Sequence, residues 1–449
     1  MTLTMSRTLR RRSGYAAAGL LAVTTALLLA GPQLRAQAAS LPDKSEGIMC
    51  ETPDTDAAGG NPTFNLDAKT GYVLTPDGNS VYMWGYTATG RSFQLPGPTL
   101  CVGSGQKVTV VLHNTLREET SIVFAGQSGV LADGKPTQPQ FTNGVLTSLV
   151  DVAKKNGTVT YQFTAGSPGT YLYSSGTDVL KQKEMGLYGA LVVRPMAGGA
   201  LDASHDGPDP KFAFDPTTEY LYVLSQIDPD LHSAVELNKT YNYNNSKPRY
   251  FFINGRSMPD TLAPNNAAWL PAQPYGALVH IHPTKAGSSP ALVRYVNAGT
   301  VNYPFHPHGS SQRIIVRDGT PVTDGTRDAS YLKFLVDVGP GQSADALESW
   351  SNEYDPDTNA IPPDVQLPQV QDQIVGPGET WFSENPYLGA PGGQGPIPNG
   401  MVQNNECGEF YHVAHSHALY QATNFGASFG GMMTLIRIDP PTPNTCAGQ

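Results

Sequence analysis

The sequence predicts an all-β protein made of two β-sandwich domains, and three observations carry that prediction. Apolar segments are short, alternate with polar residues and are bounded by Gly, Pro, Asn and Asp, the pattern of strands joined by turns. Glycine (47) and proline (38) are abundant among the 449 residues, which suits a turn-rich sheet protein better than a helical one. No window sustains a 3.6-residue apolar period.

Taken in order, residues 1–38 predict a signal peptide. Arg7, Arg10, Arg11 and Arg12 form a basic start, 15–30 form an apolar run, and Ala36-Gln37-Ala38 fits a small-x-small cleavage site. The expectation is a secreted or periplasmic protein without a membrane span, since nothing later approaches the roughly 20 apolar residues a spanning helix needs. The whole chain has 28 basic and 38 acidic residues; without residues 1–38 the balance is 23 to 38. An acidic chain without basic runs excludes a nucleic-acid partner, because phosphate binding needs clustered Lys and Arg.

The clearest strands are expected at 106–113, 157–163, 169–173, 189–194, 219–225, 250–253, 291–297 and 432–438. The segment 195–210, PMAGGALDASHDGPDP, reads as an interdomain linker. The expected domains are therefore 50–198 and 212–438, the second carrying a Gly/Pro/Asn-rich insertion at about 352–407. Four cysteines, Cys50, Cys101, Cys407 and Cys446, suit two disulfides in an exported protein, with three pairings open. Their places predict bridges that staple the start of one domain to the end of the other. None has CxxC spacing, so a thiolate metal site is not expected.

Histidine brings in chemistry. Only ten are present, yet they include the pairs His280/His282, His306/His308 and His415/His417. On a strand, residues i and i+2 project from one face and can aim two imidazoles at one point. Imidazole suits copper, and zinc also accepts such a set. His306, His308, His415 and His417 are the expected metal ligands. His280 and His282, in LVHIHP, are expected to be half-exposed strand residues. His113, His205 and His232 are expected at the surface or in loops, and His412 either adds a ligand or packs beside His415.

Through these motifs the chain resembles the multicopper oxidases. Tyr303-Pro304-Phe305-His306-Pro307-His308-Gly309 is similar to their His-Pro-x-His-x-His-Gly motif, and His415-Ser416-His417 to their His-Cys-His motif. Pro96-Gly97-Pro98-Thr99-Leu100, the segments 169–173 and 186–193, Ile253-Asn254-Gly255 and Gly431-Met432 come in the family's order over about residues 80–438. The resemblance implies two cupredoxin-like Greek-key sandwiches and, as in two-domain members, a homotrimer.

The departures are as informative. Tyr303, Ser416 and Gln421 stand where the family's type 1 copper has His, Cys and His, and a serine hydroxyl cannot make a copper–thiolate bond. Val123, Ala125, Ser174 and Gly176 stand where the first domain would supply half of a trinuclear cluster. The expected protein therefore binds copper through the four surviving histidines and lacks the type 1 centre. It is either an oxidoreductase with a non-blue site and an unnamed small-molecule substrate or reductant, a copper storage or delivery protein, or a structural or surface-binding module. Tyr303 beside the site is read as packing, as a supporting hydrogen-bond donor or as a radical-capable phenol; Met432 and Met433 as core or thioether donors; Asp178 and Glu184 as acid/base candidates.

Overall fold

The computed structural model describes residues 45–55, 60–197, 200–201, 214, 216–282, 290–309, 311–323, 327–349, 410–428 and 430–439. The expected signal peptide, most of the linker, the insertion, His205, Cys407 and Cys446 lie outside them.

The first sandwich has a large sheet and a small one. In the large sheet β1 (Pro62–Leu74) pairs with β2 (Ser80–Ala88) and with β4 (Lys107–Asn114), followed by β7 (Thr158–Thr164) and β6 (Leu131–Ala132). In the small sheet the order is β3 (Leu100–Gly103), β9 (Tyr188–Arg194), β8 (Gly169–Ser174), β5 (Val123–Phe124). The second sandwich repeats this plan. Its large sheet runs β11 (Tyr250–Ile253), β10 (Glu219–Ile227), β13 (Ala291–Asn297), β17 (Ser343–Glu348), β15 (Gln312–Arg317). Its small sheet runs β12 (Val279–Ile281), β19 (Met433–Ile438), β18 (Phe410–Ser416), β14 (Tyr303–Pro307), β16 (Val336–Val338).

Burial explains which strands alternate. In β4 and β7 the buried Val108, Val110, Leu112, Val159, Tyr161 and Phe163 alternate with more exposed residues, all polar except Val111, because one face meets solvent. In β8, β9, β10, β13 and β17 every residue is buried, because both faces are covered. One of those covers is the other sandwich: Leu172, Tyr188, Ala190 and Val192 share a cluster with Leu221, Val223, Phe252 and Val296. A polar network spans the same junction. Arg294 donates to Glu219 at 2.7 Å and to Asp345 at 3.2 Å, Thr170 donates to Asp345 at 2.5 Å, and Arg194 pairs with Glu219. Removing one partner from such a buried set leaves an uncompensated charge, so the network fixes how the sandwiches meet.

Among the described residues two short α-helices accompany the strands, α1 (Val179–Glu184) and α2 (Pro229–Glu236). The second starts where Asp228 accepts from the Asp230 and Leu231 N–H groups and Pro229 fills the first turn. Cys50 and Cys101 form a disulfide. Both belong to the first part of the chain, so this bridge does not staple the start of one domain to the end of the other. It ties the leading segment to β3 of the first sandwich.

Candidate metal centre

In the small sheet of the second sandwich, β14 and β18 pair antiparallel with His306 opposite His415. Tyr303, Phe305, Ala414 and Ser416 turn inward and are buried, so strand alternation sends His306 and His415 to the outer face. Backbone bonds lock both motifs in place: His308 N–H donates to Val413 at 2.8 Å and His417 N–H to Pro304 at 2.7 Å. The four predicted histidines therefore meet. Ring centroids lie 4.6 Å apart for His306 and His308, 5.1 Å for His308 and His415, 5.3 Å for His306 and His417, and 5.9 Å for His415 and His417.

His306 Nδ1 lies 2.5 Å from the Phe334 carbonyl and His415 Nδ1 2.8 Å from the Ser416 carbonyl. A carbonyl only accepts, so each Nδ1 carries the hydrogen and each Nε2 keeps a lone pair. His308 Nε2 and His415 Nε2 are 3.0 Å apart. Two nitrogens bound to one ion at about 2.0–2.1 Å, at angles between square and tetrahedral, are about 2.8–3.4 Å apart. The pair thus has the bite of a chelate. Burial, then the neighbouring imidazoles, lowers the His308 pKa; burial also lowers that of His415, against the Ser416 carbonyl and with His306 and His417. Both rings are held in the neutral form a metal requires. The four rings as a whole form an open set. Three ligand atoms that all lie within 4.8 Å of one another occur elsewhere, at His280, His282 and Asp439.

The inner face holds a different arrangement. Ser416 donates to Gln421 Oε1, and the Gln421 amide donates to the Asn302 carbonyl and the Tyr420 hydroxyl, each at 3.0 Å. Tyr303 donates to Gln226 Oε1 at 2.9 Å, and burial pushes its phenol well up. The first sandwich repeats the lock: Ser175 and Thr120 each donate to Gln182 Oε1 at 2.7 Å, and Gln182 donates to the Glu119 carbonyl at 2.9 Å.

The register repeats as well. Val123 opposes Ser174, and Phe124 opposes Tyr173, where the second sandwich sets His306 against His415 and Pro307 against Ala414. Gly126 and Gly309 come next with φ of 73° and 82°, and a Cβ there would strike Tyr171 and His412 respectively. His412 therefore fills the packing role of Tyr171, its Nε2 buried without a hydrogen-bond partner.

Of the other expected participants, Met432 and Met433 are core residues. Asp178 pairs with Lys181 at 2.8 Å. Glu184 is buried, accepts from the Asp228 N–H at 2.8 Å and is pushed up to about 8, chiefly by burial. Two histidines differ from expectation. His232 is buried, not at the surface: its Nδ1 meets the Tyr82 carbonyl at 2.6 Å, and burial lowers it to about 4. His280 is only 6% exposed, whereas its partner His282 is half-exposed as expected. Neither burial is visible locally, because the covering residues come from distant parts of the chain.

Residues 74–198 match the multicopper oxidase family model. The chain is 31% identical to an L-ascorbate oxidase of Cucurbita pepo var. melopepo over 118 residues, 26% of this chain and 20% of that protein. It is 30% identical to copper resistance protein A of Escherichia coli over 176 residues, 38% of this chain and 25% of that protein. The matched stretches thus span a fifth to a quarter of those relatives. The blue copper oxidase structure from Nitrosomonas europaea shares the fold at 18% identity and a TM-score of 0.53, covering 84% of this chain and 85% of that one. Among the described residues, no helix is long and apolar enough to cross a membrane.

Proposed function

The chain is multicopper oxidase-like in family and fold, and from that premise we propose that it is an exported copper-binding protein whose ligands are His306, His308, His415 and His417. The observation that carries the reading is the 3.0 Å separation of the His308 and His415 Nε2 atoms, with both rings biased to the neutral form. Bound copper would supply a one-electron couple and a Lewis acid. The chain's own part is to present lone pairs: the Phe334 and Ser416 carbonyls fix the tautomers of His306 and His415, as supporting groups around metal-bound histidines do. Export is supported by the pattern of residues 1–38 and by the Cys50–Cys101 disulfide, a bond at home in oxidising compartments.

The same reading omits a type 1 centre. Ser416 and Gln421 satisfy each other, and a serine at that position supplies no thiolate to carry electrons inward. This favours a non-blue site, with turnover depending on an external reductant, and gives the storage reading its own support: His417 lies exposed, where copper can exchange. A homotrimer is part of the proposal, supported by Phe334, Leu419 and Tyr420, each about 60% exposed or more beside the cluster.

Metal analysis after copper exposure tests the binding. At least one copper per chain is expected, without thiolate-to-copper absorption, and the His308→Ala/His415→Ala variant should lose it. Equal copper in both proteins would sink the ligand assignment. Oxygen uptake with a chemical reductant then separates oxidoreductase from storage, and light scattering reads the trimer.

A further inference from the structure

A second constellation lies at the other end of the same small sheet. His280 and His282 sit on β12 and its continuation, with His280 opposite Arg437 of β19. Asp439, just after β19, lies six residues beyond Met433, the neighbour of His415, and so about 20 Å along the strand at roughly 3.3 Å per residue. It is a separate place from the four-histidine cluster.

A leading strap, residues 45–51, crosses both sandwiches. The Asn265 N–H donates to Ser45 O at 2.8 Å, the Ile48 N–H to Glu219 O at 2.8 Å and the Glu51 N–H to Thr99 O at 2.8 Å. Its Cys50 is bonded to Cys101 on β3. In the second sandwich β12 pairs with β19 as β3 pairs with β9 in the first, and there His280 meets the strap: its Nδ1 lies 2.8 Å from Glu46 Oε2. Two residues on, His282 Nδ1 lies 3.1 Å from Asp439 Oδ2, while Arg437 Nε donates to Asp439 Oδ1 at 2.6 Å and orients the carboxylate.

We propose that His280, His282 and Asp439, with Glu46 from the strap as fourth ligand, form a binding site for a divalent first-row cation of the zinc class. One ligand atom from each of the first three lies within 4.8 Å of the other two. Tetrahedral zinc with bonds of about 2.0–2.2 Å sets ligand atoms roughly 3.3–3.6 Å apart, so closure needs a contraction of about 1 Å. His280 is only 6% exposed, and its Nδ1 already faces a carboxylate oxygen of Glu46 at 2.8 Å, the place an ion would share. The charges also suit a cation: two carboxylates against one guanidinium leave a net negative site. An ion here takes the place of the hydrogens now shared between imidazole and carboxylate, and clips the strap to the second sandwich as the disulfide clips it to the first.

Zinc titration of a variant lacking the cluster, with His306, His308, His415 and His417 all changed to Ala, tests the proposal apart from the copper reading. One zinc per chain is expected to remain. Adding His282→Ala or Asp439→Asn should weaken binding by more than about tenfold, the loss that even supporting residues around a metal produce. Near-ultraviolet circular dichroism checks that each variant is folded. Should the cluster-free protein not fold, native mass spectrometry of the otherwise unaltered chain with and without His282→Ala gives the same answer: one zinc fewer is expected. No zinc in the folded cluster-free protein, or unchanged zinc binding after His282→Ala, overturns the site, and neither outcome touches the four-histidine assignment.

Discussion

The first and second sandwiches repeat one strand order and one register at the position that matters, and differ in what stands there. Val123 opposes Ser174 as His306 opposes His415, and a left-handed glycine comes next in each, packed under Tyr171 in one and His412 in the other. Behind both faces a serine hydroxyl and a glutamine amide close the same hydrogen-bonded lock onto a backbone carbonyl. The difference teaches that the backbone alone does not make the site: the scaffold presents two equivalent pairs of positions, and imidazoles at one pair give it chelate geometry.

The largest effect should come from transplanting that difference. Val123→His with Ser174→His places two imidazoles in the same cross-strand register, and about one additional, weaker copper per chain is expected in a binding titration, since neutral imidazole pairs suit copper. An unchanged stoichiometry in a folded variant would break the equivalence, and would mean that the carbonyl partners of His306 and His415 matter more than register.

Much of this repeat is legible in the sequence, for identifiable reasons. Strands with one solvent face, such as Lys107–Asn114, alternate and announce themselves. So do the His-x-His pairs, because alternation converts spacing two into one face. Ser343–Glu348 is not legible: SADALE is small and acidic, yet fully buried, because Asp345 there is paired with Arg294 on the adjacent strand and with Thr170 across the junction. His280 departs from its expected half-exposure for a related cause, since its cover includes Glu46 from the opposite end of the chain. Local pattern reports what a residue's neighbours in sequence do, and these burials are set by residues far away in sequence.

A smaller effect would sharpen the comparison of the two locks. Gln421 Oε1 takes a hydroxyl from Ser416, whereas Gln182 Oε1 takes hydroxyls from both Ser175 and Thr120. Ser416→Ala should therefore strip the Ser416 donor and cost about 1–3 kcal/mol, while Thr120→Val leaves Ser175 in place and should cost about 0.5–1.5 kcal/mol. Urea denaturation measures both. If Thr120→Val proved the more damaging, the two locks would not be the equivalents their geometry makes them.

A pH-dependent contrast lies in the carboxyl that only one of the two locks has beside it. In the first sandwich α1 ends in Glu184, a buried carboxyl that accepts from the Asp228 N–H of the second sandwich and is pushed up to about 8 by burial. The corresponding turn of the second sandwich, Leu419–Gln421, carries no carboxyl. Glu184 in the folded chain keeps its proton to higher pH than in the unfolded chain, whose ordinary value is 4.5. Its contribution is fully present below the ordinary value and is lost as pH rises through about 8, because over that window the unfolded state binds fewer protons. Glu184→Gln keeps an oxygen for the Asp228 N–H and cannot ionise. It should flatten the pH profile and make the protein more stable than wild type at pH 8, by about 2–4 kcal/mol given roughly 1.4 kcal/mol per pKa unit. Urea midpoints for both proteins at acid, neutral and alkaline pH decide it: parallel profiles would mean that water reaches this carboxyl and that the junction is looser than its packing implies.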